Sequence, residues 1–254
     1  QCDLIIAIGM RFDDRATGRV SGFAPQAKIV HIDIDPAEIG KNVPVTVPIV
    51  GDVKNVLQVL NPLVERRTHA EWLRQVDEWR QLHPIISQHN TDQLLPQYVI
   101  SQIWEATRGD ARIVTGVGQH QMWTALHYRF SKPNSIISSG GLGTMGYDLP
   151  ASMGVKAGCP DETVWAICGD GSFQMNIQEL ATLVQEDLGV KIAIMNNGFL
   201  GMVRQWQQMF YGKRYVATPL SGPDFVAIAG AYGIKGLRVT RKEEVVPAIR
   251  QAMD

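Results

Sequence analysis

The stretch CGDGSFQMNIQELATLVQEDLGVKIAIMNNGFLG, from Cys168 to Gly201, decides the fold of the second half of the chain. Asp170 stands between two glycines directly after an apolar run, and Asn196 and Asn197 follow one predicted helix and one predicted strand later. Crossover connections between parallel strands are right-handed, so the two strands are expected to be parallel and often adjacent. The sequence therefore predicts that Asp170 and Asn197 share one edge of a sheet.

The residue types at this edge indicate a metal ion that accompanies a phosphate. Gly169 and Gly171 let the backbone turn sharply and approach a ligand closely. The carboxylate of Asp170 would repel a phosphate unless a cation stood between them. Carboxylate, amide and loop carbonyl oxygens suit Mg²⁺ bound together with phosphate oxygens. The alternative is that Asp170 only caps a helix and that Asn196-Asn197-Gly198 only makes a turn.

Outward from this stretch, helices and strands alternate from Pro96 to the end of the chain. We predict a helix at 97–106, and strands at 112–115, 135–138, 163–168 and 190–195. This alternation is typical of an α/β fold with a doubly wound, mostly parallel sheet. Ligands of such sheets bind outside the carboxyl ends of the strands, which here read TGVGQHQ, SSGGLGTMG, CGDGS and MNNG.

The first 65 residues predict strand, loop, strand and helix. The runs DLIIAIG (3–9) and KIVHIDID (28–35) are typical of strands buried on both faces of a parallel sheet. Apolar residues at Val53, Val56, Leu57 and Leu60 have helical spacing.

The composition changes over 66–95, where Trp72, Val76 and Trp79 form one helical stripe and Pro84 is expected to close the helix. We interpret this segment as a connecting helix. The predicted organisation is therefore a first domain at 1–65, a linker at 66–95 and a second domain at 96–254.

The overall composition favours small ligands. The 254 residues carry 24 basic and 25 acidic side chains, a net charge of −1, without the basic patch that binds nucleic acid or an anionic membrane. Three cysteines, Cys2, Cys159 and Cys168, lie far apart and predict neither a zinc site nor a disulfide framework, which fits a reducing compartment. No apolar run is long enough for a membrane-spanning helix.

The pattern GDGS, helix, MNN resembles the thiamine diphosphate-binding motif of the pyruvate-decarboxylase-like superfamily. Five further stretches are similar to the large catalytic subunits of the acetolactate synthase (acetohydroxyacid synthase) family: TGVGQHQMW (115–123), SSGGLGTMGY (138–147), LGMVRQWQQMFY (200–211), RFDDRATG (11–18) and HIDIDPAEIGKN (31–42). The resemblance covers nearly the whole chain.

This resemblance implies a fold, an activity and three cofactors. Residues 96–254 would form the pyrophosphate-type thiamine diphosphate domain, cut short at its carboxyl end, after part of a Rossmann-like FAD-binding middle domain at 1–65. Thiamine diphosphate, Mg²⁺ and FAD are the implied cofactors. The implied reaction decarboxylates pyruvate and transfers the two-carbon unit to pyruvate or 2-ketobutyrate, the first common step of branched-chain amino acid biosynthesis.

The resemblance also assigns residues. Mg²⁺ would be held by Asp170, the side chain of Asn197 and the main-chain oxygen of Phe199. Thiamine diphosphate would be contacted by Val117, Gly118, Gln119, His120, Gly143, Met145, Gly169, Gly171, Ser172 and Gly201. Met145 would wedge between the two rings of the cofactor. FAD would be contacted by Gly9, Arg11, Asp13, Arg15, Asp33, Ile34, Asp52 and Val53. The acceptor ketoacid would lie against Met202, Val203 and Trp206, with Arg15 clamping its carboxylate.

The sequence departs from the family pattern in three places. The glutamate that activates the cofactor belongs, in the family, to a separate amino-terminal domain, so no catalytic residue is assigned here. The chain ends at Asp254, before the family's closing strand and tail. We therefore expect the 254 residues alone to be inactive. Asp148 replaces the family's usual glycine and is expected to be the N-cap of the next helix, although a charge there could instead disturb cofactor binding.

Two other functions stay open, namely another thiamine diphosphate enzyme, such as a pyruvate oxidase or a 2-ketoacid decarboxylase, and an inactive cofactor-binding module. The resemblance implies 2-ketoacid substrates, a homodimer or tetramer and a regulatory small subunit, without nucleic acid or membrane partners. It implies a cytoplasmic location, or the plastid in a photosynthetic eukaryote.

Overall fold

The computed structural model describes residues 2–83 and 91–254. The chain divides into two compact units, Gln1–Trp79 and Arg80–Asp254. The predicted end of the connecting helix at Pro84 lies outside the described residues.

The first unit is a small parallel sheet with flanking helices. Its elements are β1 (Leu4–Ile8), α1 (Asp14–Thr17), β2 (Lys28–Asp33), β3 (Val47–Val50), α2 (Val53–Leu60) and the beginning of α3 (Ala70–Leu82). The strand order is β1-β2-β3, and both pairs are parallel. The two predicted strands and both predicted helices are confirmed.

Two details of this unit differ from the prediction. The strand β3 was missed because Pro44 and Pro48 interrupt its apolar run, and proline is tolerated only at the edge of a sheet, where β3 lies. The strand β1 is not buried on both faces, since Leu4, Ile6 and Ile8 are 48%, 51% and 43% exposed.

The second unit alternates helices and strands as predicted. The first elements are α4 (Pro96–Thr107), β4 (Arg112–Thr115), α5 (Gln119–His127), β5 (Ile136–Ser138), α6 (Asp148–Gly158) and β6 (Val164–Gly169). They are followed by α7 (Asp170–Gln174), α8 (Leu180–Gln185), β7 (Val190–Met195), α9 (Gly201–Phe210), α10 (Phe225–Ala231) and α11 (Val245–Met253).

The four strands of this unit form one parallel sheet in the order β5-β4-β6-β7. The strands β6 and β7, which carry the motif, pair directly from Val164 with Val190 to Gly169 with Met195. This adjacency confirms the prediction that Asp170 and Asn197 emerge at the same edge of the sheet.

Alternate residues of β6 supply two cores. Trp165 and Ile167 pack with α4 and α11 on one face of the sheet. Ala166 and Cys168 pack with α6 and α8 on the other face. Successive side chains of a strand point to opposite faces, so helices cover both faces and the sheet is doubly wound.

The connection between β6 and β7 is less regular than predicted. In place of the one predicted helix, the connection contains the short helix α7, which begins at Asp170 itself, then a 3₁₀ turn at Ile177–Glu179, then α8. Asn176 lies between them in a non-helical conformation. Its side chain donates a hydrogen bond to the carbonyl of Gly146 in a neighbouring loop.

Over 2–83 and 91–254, no helix is both long enough and apolar enough to span a bilayer.

Candidate functional site

A cleft lies at the carboxyl ends of β4, β6 and β7. It is lined by Val117, Gly118, Gln119, His120, Trp123, Met145, Gly169, Asp170, Gly171, Ser172, Met195, Asn197, Phe199, Leu200, Gly201, Met202 and Val203. This is the edge at which doubly wound sheets bind ligands.

Most of the residues that the sequence assigned to thiamine diphosphate and metal line this one cleft, but Gly143 does not. Three lining residues, Trp123, Met195 and Leu200, were missed. A signal existed for Trp123, which lies four residues after Gln119 and so falls on the same face of α5.

Asp170 and Asn197 are tied together by main-chain hydrogen bonds. Asp170 is 2% exposed, and its Oδ2 accepts a 2.8 Å hydrogen bond from the N–H of Gly198. The Oδ1 of Asn197 in turn accepts a 3.0 Å hydrogen bond from the N–H of Phe199. The loop after β7 is thus attached to the carboxylate at the end of β6.

A second attachment fixes the far side of this loop. The N–H of Leu200 donates to the carbonyl of Thr218, and the N–H of Leu220 donates to the carbonyl of Gly198, each at 2.8 Å. These bonds form an isolated antiparallel bridge between Phe199 and Pro219. The bridge does not use the carbonyl oxygen of Phe199 as an acceptor.

Two opposing effects act on the charge of Asp170. Burial raises the pKa of the carboxyl group, while main-chain hydrogen bonds from Gly198 and Gly171 lower it. Burial has the larger effect. A nearby cation would favour the charged form and so relieve the cost of burying it.

Glycines keep the floor of the cleft open. A Cβ atom on Gly169 would lie 2.8 Å from Nδ1 of His120, and one on Gly201 would lie 2.2 Å from Oε1 of Gln119. A Cβ on Gly171 would lie 3.0 Å from Cδ2 of Leu200. Real Cβ atoms essentially never show contacts below 3.0 Å, and a 3.0 Å contact is tighter than most. A side chain at these positions would therefore shift the side chains of His120, Gln119 or Leu200.

His120 contributes a polar atom without a partner. It is 5% exposed, and its Nε2 has no hydrogen-bond partner in the described part of the chain. Burial lowers the pKa of His120 to about 4, so the ring is neutral at physiological pH. A neutral imidazole that lines a cleft with one unsatisfied nitrogen fits a polar ligand.

The helix α9 forms another wall. Met202 and Val203, in its first turn, line the cleft, whereas Trp206 is not among the lining residues. Trp206 packs against Phe210 with ring centroids 5.2 Å apart and is 40% exposed. Gln205 accepts a 2.8 Å hydrogen bond from Gln119, which joins α9 to α5.

Asp148 does not have the N-cap role that the sequence analysis expected. The helix α6 begins at Asp148 itself, and the N-cap position belongs to Tyr147. Asp148 is fully buried, and its Oδ1 accepts a 3.0 Å hydrogen bond from the N–H of Leu149. The prediction failed because Tyr147 already has helical dihedral angles, which places the cap one residue earlier.

The second carboxyl oxygen of Asp148 lies beside Ser172 and Cys168. Burial raises the pKa of Asp148, and its contact with the Ser172 hydroxyl lowers it to a smaller extent. Oδ2 nevertheless lacks a partner of good hydrogen-bond geometry within residues 2–83 and 91–254. Asp148 does not line the cleft but lies buried behind the cleft wall, beside Ser172.

In the first unit, several residues assigned to FAD lie at the carboxyl edge of the small sheet. Gly9 follows β1, Asp33 ends β2, and Asp52 is the N-cap of α2 just after β3. Asp13 is the N-cap of α1 and pairs with Arg11 at 3.0 Å. The other assigned residues are Arg15 within α1, the exposed Ile34 and Val53 at the start of α2.

The donor set of the cleft fits a hard cation that brings further oxygen ligands with it. No cluster of three or more His, Cys, Asp or Glu residues capable of holding a metal occurs in 2–83 and 91–254. Asp170, Asn197 and Phe199 offer one carboxylate, one amide oxygen and one carbonyl. Such a site would be incomplete without the oxygens of a phosphate ligand.

The sequence matches two domain families of one enzyme class. Residues 116–254 match the thiamine pyrophosphate enzyme, C-terminal TPP binding domain, and residues 1–60 match the thiamine pyrophosphate enzyme, central domain.

Similar proteins carry the name acetolactate synthase. The chain is 51% identical to acetolactate synthase of Mycobacterium bovis, over 98% of this chain and 42% of that protein. It is 50% identical to the acetolactate synthase large subunit of Corynebacterium glutamicum, over 99% of this chain and 42% of that protein. It is 44% identical to the isozyme 3 large subunit of Escherichia coli, over 99% of this chain and 45% of that protein.

The chain therefore spans less than half the length of these relatives. The cleft lies within the part that matches the cofactor-binding domain. On this evidence the chain belongs to the thiamine pyrophosphate enzyme family.

Proposed function

We propose that the protein is an acetolactate synthase, which decarboxylates pyruvate on thiamine diphosphate and transfers the two-carbon unit to pyruvate or 2-ketobutyrate. The observation that carries the proposal is the hydrogen bond from Gly198 to Asp170, because it holds a carboxylate and an amide-bearing loop together in a glycine-floored cleft. The identities of about 44–51% to acetolactate synthases support the choice of reaction.

In this proposal Asp170, Asn197 and the main-chain oxygen of Phe199 hold Mg²⁺, which binds the diphosphate. The Oδ1 of Asn197 already accepts one hydrogen bond, but an amide oxygen has a second lone pair for the metal. The cation removes the repulsion between the Asp170 carboxylate and the diphosphate. It also keeps that carboxyl group ionised despite its burial.

The remaining lining residues divide between the two halves of the cofactor. Gln119, His120, Gly171 and Ser172 lie along the phosphates, and His120 Nε2 gains a polar partner there. Val117, Gly118, Met145, Met202 and the small residues Gly169 and Gly201 surround the rings, with Gly143 in the nearby loop. Bound thiamine diphosphate supplies the carbanion chemistry, and the chain supplies shape and a dry environment.

The acceptor ketoacid binds beside Met202, Val203 and Trp206. Met202 and Val203 line the cleft, and Trp206 lies one turn further along the same helix. Its indole provides a broad apolar wall that favours the extra methyl group of 2-ketobutyrate.

The first unit contributes to an FAD site. Gly9, Arg11, Asp13, Arg15, Asp33, Ile34, Asp52 and Val53 are the proposed contacts. Asp33 and Asp52 follow parallel strands, where acidic side chains accept hydrogen bonds from ribose hydroxyls in dinucleotide-binding folds. The flavin undergoes no net redox change in this reaction.

The proposed assembly is a homodimer or tetramer with a regulatory small subunit, in the cytoplasm or in a plastid. The names of the relatives from C. glutamicum and E. coli contain the words large subunit. The glutamate that activates the cofactor is proposed to come from a domain outside these 254 residues.

Product analysis of the full-length protein tests the proposal. The protein is incubated with pyruvate, thiamine diphosphate, Mg²⁺ and FAD, and the products are quantified. We expect acetolactate. Acetate would instead indicate an oxidase, acetaldehyde would indicate a decarboxylase, and cofactor binding without turnover would indicate an inactive module.

A further inference from the structure

Gly146 is held by side chains at both of its main-chain polar groups. Its N–H donates a 2.9 Å hydrogen bond to Oγ of Ser172, and its carbonyl accepts a 2.7 Å hydrogen bond from Nδ2 of Asn176. Ser172 and Asn176 belong to the segment that begins with Asp170. The segment 170–176 therefore carries a proposed metal ligand and also hydrogen-bonds to the loop that contains Gly146.

These two hydrogen bonds depend on the absence of a side chain at position 146. Gly146 has φ +77°, which favours glycine, and a Cβ there would lie 2.8 Å from Nδ2 of Asn176 and 2.9 Å from Cβ of Met175. The backbone of Gly146 thus packs directly against the turn that follows α7. A displacement of that turn would carry Gly146 with it.

Met145, which precedes Gly146, is the residue of this loop that lines the cleft. Its Cε lies 3.6 Å from the position that a Cβ on Gly171 would occupy. Upstream, the loop runs outward to Leu142, which is 95% exposed. Met145 therefore lies between two attachments: the hydrogen bond from the Thr144 N–H to Oγ of Ser139 on its upstream side, and the contacts of Gly146 on its downstream side.

Ser172 is itself buried beside Gly116 and Asp148. It is 1% exposed, and a Cβ on Gly116 would lie 2.2 Å from its Oγ and 2.4 Å from Oδ2 of Asp148. The two oxygens therefore converge on the same point next to Gly116. Oγ of Ser172 accepts from Gly146, and Oδ2 of Asp148 lies beside it without a hydrogen bond of good geometry in the described part of the chain.

We propose that Ser172 and Asn176 are positioning residues that hold Met145 in place through Gly146 and so set the fit of the cleft to the ring half of the cofactor. This inference rests on the proposed function, in which Met145 contacts those rings. It goes beyond that function because neither the main chain of Gly146 nor Asn176 lines the cleft. Ser172 also lies along the phosphates in that proposal, so the test uses Asn176, which does not line the cleft.

Asn176→Ala tests the inference because Asn176 does not line the cleft. Binding of thiamine diphosphate with Mg²⁺ and of inorganic pyrophosphate with Mg²⁺ is measured by calorimetry on the full-length protein. Removing the partner of a buried carbonyl is expected to weaken thiamine diphosphate binding about tenfold. Pyrophosphate binding is expected to stay within about twofold of the wild-type value.

Gln185→Ala is the matched control. Gln185 is an exposed amide at the end of α8, and its side chain donates to Glu186, so its removal leaves the contacts of Asn176 intact. We expect it to bind both ligands as the wild type does. If Asn176→Ala does not fold, Asn176→Asp serves instead, since it keeps the size and replaces the donor by an acceptor.

A double-mutant cycle with Met145→Ala identifies the route of the effect. If Asn176 acts through Met145, adding Asn176→Ala to Met145→Ala should cause no further loss of thiamine diphosphate affinity. The inference would be overturned if Asn176→Ala lowered the thiamine diphosphate affinity of Met145→Ala by the same factor as it lowers that of the wild type. It would also be overturned if Asn176→Ala weakened the binding of thiamine diphosphate and pyrophosphate equally, or weakened the binding of neither.

The wild type separates this inference from the proposed function. If the wild type binds pyrophosphate but not thiamine diphosphate, or binds neither, the proposed function fails and the inference fails with it. If the wild type binds both and Asn176→Ala changes nothing, the inference alone is wrong.

Discussion

The Oδ2 atom of Asp170 accepts a 2.8 Å hydrogen bond from the N–H of Gly198. This bond joins the end of β6 to the loop after β7, so that Asp170 and Asn197 belong to one structural unit. The two halves of the motif are therefore positioned before any ligand arrives, which lowers the cost of binding one.

Asp170→Asn tests the charge of this unit. Asparagine can still accept the Gly198 hydrogen bond, so the thermal stability should change little, but the metal loses its carboxylate. We expect Mg²⁺-dependent binding of thiamine diphosphate to weaken about 30-fold or more, equivalent to ~2 kcal/mol.

Calorimetric titration of the full-length protein measures this change, with Asp161→Asn as control. Asp161 is an exposed aspartate between α6 and β6. Wild-type affinity in Asp170→Asn would contradict the assignment of Asp170 to the metal.

Gly201→Ala tests the glycine floor of the cleft. The new Cβ would lie 2.2 Å from Oε1 of Gln119 and 3.1 Å from Nδ2 of Asn197. The Gln119 side chain is flexible and can move away from the new Cβ, so we expect a small change in the free energy of unfolding. Because Gln119 lines the cleft, we expect its displacement to cause a clear loss of thiamine diphosphate affinity.

Gly154→Ala is the matched control, because no atom lies within 4 Å of its added Cβ and Gly154 is in the interior of α6. It should raise the free energy of unfolding by about 0.5–1 kcal/mol and leave binding unchanged. If Gly201→Ala and Gly154→Ala bind thiamine diphosphate with equal affinity, a side chain at position 201 does not obstruct cofactor binding.

Asp148→Asn tests the effect of a buried carboxyl group on stability. Burial raises the pKa of Asp148 in the folded state above its ordinary value of about 3.9. The contribution of Asp148 to stability is then fully present below that value and is lost as the pH rises through the folded-state pKa. We expect Asp148→Asn to melt at a higher temperature than the wild type at pH 7, with the difference disappearing near pH 4.

Asp224→Asn should behave in the opposite way. The main-chain hydrogen bond from Ala227 lowers the pKa of Asp224, and Arg238 adds to that effect. Its contribution is therefore present at pH 7 and lost in acid, so this variant should melt lower at pH 7 and approach the wild type as the pH falls. Melting curves of both variants from pH 2 to 7 check the two signs, because the Asp224 contribution is lost only below the ordinary aspartate pKa of about 3.9.

Trp206→Leu tests the proposed acceptor wall. Decarboxylation should continue, because Trp206 does not line the cleft, but the preference for 2-ketobutyrate over pyruvate as acceptor should fall. Product ratios from mixed ketoacids measure this preference. Tyr211→Leu, at an aromatic residue just after α9, is the control, and an unchanged ratio in Trp206→Leu would refute the assignment.

Much of the second unit could be predicted from sequence because its central strands are buried. Continuous β-branched runs placed β4 at Arg112–Thr115 and β7 at Val190–Met195 with the observed bounds. The right-handed crossover rule then predicted that β6 and β7 are parallel neighbours. The strand β3 was missed because its prolines argue against a strand in any position except an edge.

The sequence by itself determined which strand ends carry polar and glycine residues, since that follows from local pattern and the handedness of the connections. Only the tertiary structure decided how those ends touch. Three features depend on contacts between distant segments. They are the start of α7 at Asp170, the burial of Asp148 behind the cleft, and the hydrogen bonds of Ser172 and Asn176 to Gly146. Such contacts are set by the packing of side chains within a few ångströms, which no local periodicity encodes.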